Sequence, residues 1–247
     1  MLNIVIPMAG RGSRFANAGY TLPKPLIPVF DQPMIEIVEK NLKPKQEYRF
    51  IFLVLEEHIK KYNIGQKLEI LSPGCVIVAV SGVTEGAACT VLLARSLIDN
   101  HDALMIANSD QWVDIDINDY LEVINCACLD GLIMTMEAND PKWSYVETDS
   151  NGYVTRVVEK EVVSNEATVG IYNYARGCDF VAAADRMISS NERVNNEFYV
   201  APVYNHLIKS GAKVGIYNIG LDRNGMYGLG VPNDLEFFIS HGPWLSQ

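Results

Sequence analysis

The stretch Ile4–Val29, IVIPMAGRGSRFANAGYTLPKPLIPV, decides how this chain folds. Its apolar, β-branched start predicts a short strand buried inside a parallel sheet. The loop that follows contains Gly10 and Gly12, which can adopt positive φ angles and let backbone N–H groups converge on an anion. Arg14 and Lys24 add two cations within the same supersecondary unit. A strand end, a glycine loop and two cations in this order indicate a binding site for a polyphosphate.

Three other interpretations of the glycine loop fit the residues less well. A Walker A loop closes with Gly-Lys-Ser or Gly-Lys-Thr, which this stretch lacks. A dinucleotide-binding loop has a third glycine three residues after the second, and Phe15 occupies that position. Two spaced glycines also occur in ordinary tight turns. The arginine and the downstream pair Lys24-Pro25 make a phosphate-binding loop the more specific interpretation.

The run Ala9–Arg14, AGRGSR, and the later run Pro23–Leu26, PKPL, resemble the signature loop of the sugar-phosphate nucleotidyltransferases, also called NDP-sugar pyrophosphorylases. The resemblance implies an enzyme that transfers a nucleoside monophosphate from an NTP to a phosphorylated small-molecule acceptor and releases pyrophosphate. It implies Arg14 and Lys24 as catalytic cations. It also implies that the nucleotide is bound by the loop residues Met8, Ala9, Gly10, Gly12 and Ser13.

The composition excludes some classes of partner. The chain has 247 residues and a formal net charge of −10, which argues against nonspecific binding to nucleic acid or to an anionic membrane because both require a basic face. Its five cysteines are scattered without C-x-x-C or zinc spacing. No apolar run approaches the length of a membrane span, and the N-terminus lacks the basic lead of a signal peptide. We expect a cytoplasmic protein, and the sequence leaves open whether it forms a homo-oligomer.

Predicted strands and helices alternate along the first half of the chain, which is typical of a doubly wound parallel sheet. Together with the resemblance, this predicts a Rossmann-like α/β fold of the GT-A type, with a mixed sheet flanked by helices in a single domain. We expect residues 1–125 to form its nucleotide-binding half and residues 126–247 its acceptor-binding half. The first half has predicted strands at Leu2–Ile6, Phe50–Leu55, Cys75–Val80 and Ala103–Ala107, and predicted helices at Pro33–Leu42, from His58 onward and at Ala87–Leu97.

The second half changes rhythm, with strands and a hairpin before its helices. The turn Asp149–Gly152 separates two alternating runs and predicts the hairpin. The other predicted elements are strands at Gly131–Glu137, Ala167–Tyr174 and Lys213–Asn218, and helices at Cys178–Ser189 and Val203–Lys209.

The loop before the third helix is a candidate nucleobase site. Its small residues allow the backbone to approach a flat ligand, and free N–H groups are expected where the helix begins. The family has a glycine-rich segment beside the base at this position. The predicted contacts are Thr84, Glu85, Gly86 and Ala87. An alternative is that Thr84 only caps the helix while the small residues permit close packing.

Asp110 follows the fourth predicted strand and is a candidate metal ligand. Ligands of open α/β sheets collect at the carboxyl ends of strands, so this carboxylate is expected to face the glycine loop. By resemblance it is the aspartate that holds Mg²⁺ against the nucleotide phosphates, and oxygen ligands suit Mg²⁺. Ser109 is expected to contact the nucleotide. The alternative role for an aspartate after a strand is a turn or helix cap.

The acceptor site is implied by resemblance alone. A strand that ends in Glu159-Lys160 and a strand with the sequence Val-Gly-Ile-Tyr match the family's acceptor-binding half. Glu159 would accept hydrogen bonds from acceptor hydroxyls or an amide, Lys160 would bind the acceptor phosphate, and Gly170 would leave room for the acceptor. Glu197 and Tyr199 match a segment that lines the acceptor pocket, or they belong only to a helix start.

The closing motif departs from the family. Gly230, Pro232, Asp234 and Leu235 match the motif Asp-Ile-Gly-Thr-Pro-Glu-Asp-Leu, but Gly228 stands where the family has a second metal-binding aspartate. Asp222, six residues earlier, is a candidate replacement ligand, provided that its loop folds back. Water and substrate oxygens are the alternative ligands.

Two other functions share the expected fold. A GT-A glycosyltransferase would place a second acid close to Asp110 in an Asp-x-Asp pattern, whereas the chain has Ser109-Asp110-Gln111. A non-catalytic nucleotide-binding regulatory protein would lose the two cations, which are present, although Gly228 keeps this alternative open. The expected nucleotide is CTP, UTP or dTTP, on resemblance alone. The acceptor is either a sugar 1-phosphate or a non-sugar such as phosphoglutamine or phosphocholine, in surface or capsular polysaccharide synthesis.

Overall fold

The computed structural model describes residues 1–243. The strands are β1 (Leu2–Pro7), β2 (Pro28–Val29), β3 (Gln32–Pro33), β4 (Tyr48–Leu55), β5 (Val76–Val80), β6 (Ala103–Ala107), β7 (Gln111–Val113), β8 (Gly131–Glu137), β9 (Ser144–Thr148), β10 (Val154–Glu159), β11 (Glu166–Tyr174), β12 (Val214–Asp222) and β13 (Gly225–Gly228). The helices are α1 (Ser13–Asn17), α2 (Met34–Leu42), α3 (Glu56–Tyr62), α4 (Ile64–Leu71), α5 (Ala87–Leu92), α6 (Arg95–Ile98), α7 (Ile117–Cys126), α8 (Gly177–Ser189), α9 (Val203–Lys209) and α10 (Pro232–His241).

Strand β1 lies in the interior of the main sheet and pairs in parallel with β4 on one side and β6 on the other. Its side chains alternate between two apolar cores, with Ile4 and Ile6 in one core and Val5 in the other. Successive side chains of a strand point to opposite faces, so an unbroken apolar run is expected where both faces are covered. The opening run therefore folds as its composition predicts.

The main sheet has 11 strands in the order β5-β4-β1-β6-β11-β8-β12-β13-β7, with β9 attached to β11 and β10 to β9. Strands β5, β4, β1 and β6 are parallel, whereas β11 runs antiparallel to β6 and β8. Because β11 runs against β6, its first residues lie near the carboxyl end of β6. This reversal brings the second half of the chain to the edge where the loops after β1 and β6 emerge. The prediction of a mixed α/β sheet flanked by helices is confirmed.

Helices cover both faces of the sheet. Helices α2, α7 and α10 contribute buried side chains to the core that contains Ile4, and α5, α8 and α9 contribute to the core that contains Val5. Each of these helices buries one apolar stripe and leaves polar residues outside, as expected for helices packed on a sheet. No helix within residues 1–243 is long and apolar enough to cross a membrane.

The predicted single helix over Ala87–Leu97 is wrong, because the chain forms α5 and α6 instead. The N–H groups of Leu93 and Ala94 donate to the carbonyls three residues earlier, of Thr90 and Val91, at 3.0 and 2.9 Å. Bonds of this spacing tighten the helix and end it before a new turn begins at Arg95.

Strands β7 and β13 are absent from the prediction, and β12 is longer than predicted. The two missed strands pair antiparallel, with Gly228 opposite Gln111. Strands of three and four residues are too short to display a period of two. Their pairing matters because it brings the closing motif beside the segment that contains Asp110.

Candidate active site

Lys24 and Asp110 meet at the carboxyl edge of the parallel strands. Lys24 Nζ lies 2.8 Å from Asp110 Oδ2, and each side chain is 22% exposed. The two residues are 86 positions apart in the chain, and the sheet joins them because Lys24 follows the β1 loop and Asp110 follows β6. The structure therefore brings together a predicted catalytic cation and the predicted metal ligand.

The glycine loop makes this approach of Lys24 sterically feasible. Gly12 has a φ of 62°, a left-handed conformation that favours glycine. A Cβ on Gly12 would lie 3.2 Å from Lys24 Cβ, which is closer than an ordinary contact between side chains. Gly10, in contrast, is exposed and has nothing within 4 Å of the position that a Cβ would occupy. Space for a ligand therefore exists above Gly10.

The other nucleotide-binding candidates from the loops differ in accessibility. Met8, Ala9 and Ser109 are buried, with at most 7% of their surface exposed, so their backbone groups are better placed than their side chains to meet a ligand. Ser13 is exposed. Arg14 is exposed as well, and within residues 1–243 its guanidinium has no hydrogen bond or ion pair.

The predicted nucleobase loop is attached to the segment that was expected to line the acceptor pocket. Phe198 N–H donates to the Glu85 carbonyl at 2.8 Å, and Ala88 N–H donates to the Phe198 carbonyl at 3.0 Å. Arg193 pairs with the Glu85 carboxylate and stacks over the Phe198 ring, 4.1 Å from its centroid. We call these contacts of Glu85, Ala88, Arg193 and Phe198 the Phe198 clasp.

The clasp changes the interpretation of Thr84 and Gly86. A Cβ on Gly86 would overlap the backbone of Phe198, and Gly86 has a φ of 134°. The glycine is therefore required for close backbone approach, whatever it also does for a ligand. Thr84 Oγ1 donates to the Gly86 carbonyl at 2.9 Å and lies 2.6 Å from Thr90 Oγ1, so it does not cap α5 through an N–H group. Ala87 lines the central cleft.

The central cleft has a volume of about 460 Å³ and lies between the two halves of the chain. It brings together predicted catalytic and acceptor-binding residues with residues that the sequence did not identify. The predicted residues on its wall are Arg14, Ala87, Glu159, Lys160, Gly170, Glu197 and Tyr199. The residues that sequence reasoning missed include Asn108, Gln111, Lys142, Trp143, Ser144, Thr168 and Tyr172.

Glu159 and Lys160 reach this cleft from the end of β10, where each already has a partner. The Ser144 hydroxyl donates to Glu159 Oε2. Burial raises the pKa of Glu159 above its ordinary value, although the Ser144 hydrogen bond and the charge of Lys160 oppose that shift. Lys160 Nζ donates to Tyr199 OH at 2.6 Å, and this hydrogen bond raises the pKa of Lys160. A carboxylate and an ammonium group are thus held side by side.

The resemblance implied that Gly170 leaves room for the acceptor, but in the structure the space beside it is filled by other side chains. Gly170 has a φ of 90°, and β11 shifts its register against β8 between Thr168 and Tyr172. A Cβ on Gly170 would overlap the side-chain amides of Asn108 and Gln111. Gly170 therefore accommodates these two carboxamides, which lie in turn on the cleft wall. Their presence could have been suspected from the sequence, because they flank Ser109-Asp110.

The structure does not bring Asp222 to Asp110. Asp222 lies beside Met226, and Met226 lies beside Val113. Asp222 is thus two strands across and three residues along from Asp110, roughly 14 Å by the usual strand spacings. Its carboxylate lies 3.6 Å from Lys142 Nζ instead. The idea that its loop folds back to replace an acid at position 228 is not supported by this geometry.

Asp234 is the carboxylate that lies beside position 228. Its Oδ2 atom is 3.3 Å from the position that a Cβ on Gly228 would occupy, and its Oδ1 accepts a hydrogen bond from Arg223 at 2.9 Å. Two residues further along, a Cβ on Gly230 would overlap Asp110 Oδ2. Asp110 and Asp234 therefore both lie against the same short segment, where Gly228 and Gly230 leave room for them.

The carboxylates near Asp110 fit a Mg²⁺ ion that takes most of its remaining ligands from water and the substrate phosphates. No group of three or more His, Cys, Asp or Glu side chains that could hold a metal occurs in residues 1–243. Mg²⁺ is commonly bound by one or two carboxylates together with water and substrate phosphates. Asp110 provides such a carboxylate, already in contact with one cation, Lys24.

A mixed sheet with a glycine loop after its first strand and a lysine–aspartate contact at the carboxyl edge of its parallel strands is the arrangement expected of a nucleotide-binding α/β protein. Residues 4–202 match the family model described as Nucleotidyl transferase, and the chain belongs to this family. The expected membership of the sugar-phosphate nucleotidyltransferases is confirmed.

Two curated relatives show the breadth of the family. The chain is 26% identical over 219 residues to the bifunctional protein GlmU of Burkholderia orbicola, which covers 86% of this chain and 46% of that protein. It is 26% identical over 183 residues to the mannose-1-phosphate guanylyltransferase catalytic subunit beta of Danio rerio. This alignment covers 70% of this chain and 50% of that protein. The chain thus spans about half the length of these relatives.

Solved structures match over nearly the whole chain. The nucleoside-diphosphate-sugar pyrophosphorylase from Vibrio cholerae RC9 superposes with a TM-score of 0.82 and 26% identity, covering 96% of this chain and 100% of that one. A UDP-glucose pyrophosphorylase complexed with UDP-glucose superposes with a TM-score of 0.77 at 16% identity, covering all of both chains. The second likeness concerns the fold alone.

Proposed function

We propose that the protein transfers a nucleoside monophosphate from an NTP to a phosphorylated small-molecule acceptor and releases pyrophosphate. The observation that carries this proposal is the contact between Lys24 and Asp110 beside a cleft that Arg14 also lines. A cation, a carboxylate and an unpaired guanidinium at the carboxyl edge of parallel strands suit a triphosphate and a second phosphate at one point.

The reaction requires positioning more than proton transfer. A phosphate oxygen of the acceptor attacks the α-phosphorus, and the bond to the pyrophosphate leaving group breaks. The nucleophile is already an anion, so a general base is unnecessary. Arg14 neutralises charge on the departing β- and γ-phosphates, since its planar fork matches two oxygens. Lys24 bridges the α-phosphate and the attacking phosphate.

Asp110 is the proposed ligand of a Mg²⁺ ion, which would neutralise phosphate charge when bound. Asp234 offers the nearest second carboxylate on the same segment. In the absence of substrate, Lys24 holds the Asp110 carboxylate in place. On binding, Lys24 would exchange this carboxylate for phosphate oxygens, and the Mg²⁺ ion would then balance the charge of Asp110.

The proposed nucleotide is CTP, UTP or dTTP, and the proposed acceptor is a sugar 1-phosphate or a non-sugar such as phosphoglutamine or phosphocholine. A relative supports the general class, because its name, mannose-1-phosphate guanylyltransferase, combines a sugar 1-phosphate acceptor with transfer of a nucleotide group. A cytoplasmic role in surface or capsular polysaccharide synthesis belongs to the same proposal.

A pyrophosphate-release assay tests the proposal directly. Purified protein is incubated with Mg²⁺ and each of CTP, UTP, dTTP, ATP and GTP, paired with glucose 1-phosphate, mannose 1-phosphate, phosphorylated glutamine or phosphocholine. We expect pyrophosphate with at least one pair, and none when the acceptor or Mg²⁺ is omitted. The Lys24→Ala protein, prepared in parallel, controls for contaminating enzymes.

Other outcomes point to the other two functions. Release of a nucleoside diphosphate from a nucleotide sugar, without pyrophosphate from any pair, would indicate a glycosyltransferase. Nucleotide binding without turnover of any pair would indicate a regulatory protein. Either result would reject the proposed reaction.

A further inference from the structure

Two carboxamides on the wall of the central cleft have no hydrogen-bond partner among the described residues, 1–243. Asn108 and Gln111 both line the cleft, and neither side chain forms a hydrogen bond with another residue in the range 1–243. Gln111 is 8% exposed, and its Oε1 atom is buried without a partner. Buried polar groups are nearly always hydrogen-bonded, so an unpartnered amide beside a cleft suggests that a ligand completes it.

Several neighbouring polar groups of the cleft already have partners. Glu159 accepts from Ser144, Lys160 donates to Tyr199, and the hydroxyl groups of Thr168 and Tyr172 are 3.0 Å apart. Within the described part of the chain Asn108 and Gln111 lack such partners, as do the indole N–H of Trp143 and the Arg14 guanidinium, but only the two carboxamides are neutral groups that both donate and accept. They also flank Asp110 in the sequence, which places them between the phosphate-binding loops and the Glu159 side of the cleft.

The two amides are held in place by the register shift of β11. A Cβ at Gly170 would overlap both of them, and Asn108 N–H donates to the Gly170 carbonyl at 3.0 Å. The backbone thus sets the position of Asn108, and the missing side chain of Gly170 provides the space for both amides. Groups fixed in this way can discriminate between ligands, because little freedom remains to be lost on binding.

The chemistry of the amides indicates what they bind. A carboxamide is neutral and offers both a donor and an acceptor, so it pairs well with hydroxyl and amide groups. A quaternary ammonium group offers neither and is usually held by open aromatic faces. Here the protein's own cations cover two such faces: Lys142 Nζ lies 4.8 Å from the centroid of Trp143, and Lys160 Nζ lies 4.8 Å from that of Tyr199.

We propose that Asn108 and Gln111 select the acceptor by hydrogen bonding to uncharged hydroxyl or amide groups next to its phosphate. This inference rests on the proposed nucleotidyl transfer and deepens it, since it assigns two specificity residues and separates two classes of acceptor. Phosphorylated sugars and phosphorylated amides satisfy the pair, whereas phosphocholine leaves both amides unpartnered.

The test compares Gln111→Leu and Asn108→Leu with the wild-type protein. Gln46→Leu is the matched control, because Gln46 is exposed and lies outside the central cleft. The acceptor used is whichever of glucose 1-phosphate, mannose 1-phosphate, phosphorylated glutamine and phosphocholine gives the wild type its highest kcat/KM. Loss of one neutral hydrogen bond should raise the acceptor KM about 3- to 10-fold in each cleft variant. The KM for the NTP and kcat should stay within about 2-fold, and Gln46→Leu should match the wild type.

Several results would overturn the inference. These are an unchanged acceptor KM in Gln111→Leu, a rise in the NTP KM instead, or phosphocholine as the preferred wild-type acceptor. If Asn108→Leu does not fold, Gln111→Leu decides, and side-chain NH₂ resonances of ¹⁵N-labelled wild type provide a second measurement. Signals of Asn108 and Gln111 should shift when the chosen acceptor is added, and unshifted signals would contradict direct contact. Absence of pyrophosphate from every wild-type pair would reject the proposed function itself, and this inference with it.

Discussion

On the side of the cleft proposed for the nucleotide, a pair of charged groups stands on short loops at the ends of parallel strands, whereas on the side proposed for the acceptor each charged group has an uncharged side-chain partner. Lys24 and Asp110 meet through the approach of two loops, and Gly12 makes room for Lys24. Glu159 and Lys160, in contrast, each depend on a side-chain partner, Ser144 or Tyr199. The positions of Lys24 and Asp110 thus depend mainly on backbone conformation, whereas those of Glu159 and Lys160 depend on side-chain packing.

Mutations on the two sides should therefore have different effects. On the nucleotide side, removing a charge should abolish transition-state stabilisation while leaving the fold intact, because the loops do not depend on that charge. On the acceptor side, a change alters the support of a neighbour, so binding and stability should change together. The following experiments separate these two behaviours.

The largest effect is expected for Lys24→Ala. Loss of one transition-state charge contact, worth about 3 kcal/mol, should lower kcat by about 10²-fold or more. Chemical denaturation should show a folded variant with a modest loss of stability, because Asp110, only 22% exposed, would lose its partner. The assay is pyrophosphate release, with Lys40→Ala as control, since Lys40 is an exposed lysine bonded to Glu36 and Gln32. Near-normal turnover of Lys24→Ala would contradict its catalytic role.

Gly170→Ala should combine a loss of stability with a loss of acceptor binding. An alanine at a φ of 90° costs about 1–3 kcal/mol, and its methyl group would displace Asn108 and Gln111. Gly152→Ala is the matched control, because Gly152 has a φ of 82° but nothing within 4 Å of its Cβ position. In chemical denaturation both variants should lose stability, but the acceptor KM should rise only in Gly170→Ala. Equal KM values in the two variants would show that the amides do not bind the acceptor.

The pH dependence of acceptor binding should reveal Glu159. Its pKa is raised, chiefly by burial, so on acidification the ionised form is lost at a higher pH than that of an ordinary carboxyl group, about 4.3. The acceptor phosphate, with a pKa near 6, titrates in both proteins alike. On further acidification the acceptor KM should rise more steeply in the wild type than in Glu159→Gln, because only the wild type also loses the Glu159 charge. Identical pH profiles of the two proteins would exclude this role.

The same raised pKa fixes the sign of the effect on stability. The folded protein binds the Glu159 proton more tightly than the unfolded chain, so the contribution of Glu159 to stability falls as pH rises from about 4.3 through the folded pKa. Glu159→Gln should lack this decline in a urea titration carried out across that range.

The smallest effect is expected for Arg193→Ala in the Phe198 clasp. Its partner Glu85 has a side chain that is 65% exposed, so the pair contributes less than about 1 kcal/mol to stability. Because the clasp connects both sides of the cleft, the KM values of NTP and acceptor should rise together, by about 2-fold. Arg95→Ala removes a similar exposed pair with Asp185 and should leave both KM values unchanged. A rise in only one KM would show that the clasp does not connect the sites.

The sequence predicted the opening strand and the glycine loop because these depend on local residue types: β-branched residues for β1 and glycines for the loop. The same applies to Asp110, whose place after a strand indicated the edge it would occupy. The sheet contributed what local patterns could not, namely the contact of Lys24 with Asp110 across 86 residues.

Residues whose role depends on packing escaped prediction. Gly86 and Gly170 were expected to make room for ligands, but they make room for Phe198 and for two carboxamides. Asp222 was considered as a metal ligand because of its closeness in sequence, whereas the short β7–β13 pairing places Asp234 beside position 228. Contacts of this kind join residues that are distant in the chain, so no local sequence pattern indicates them.

The Phe198 clasp has a consequence for engineering substrate preference. Two backbone hydrogen bonds tie the loop that holds Gly86 to the segment that holds Phe198. A chimaera can import only the Gly86 loop from a relative with another base preference. The imported loop would then no longer match the Phe198 segment of this protein, and the two backbone hydrogen bonds would be lost. Residues 82–90 and 193–201 should therefore be transplanted as one cassette, and a change of base would then carry a change of acceptor with it.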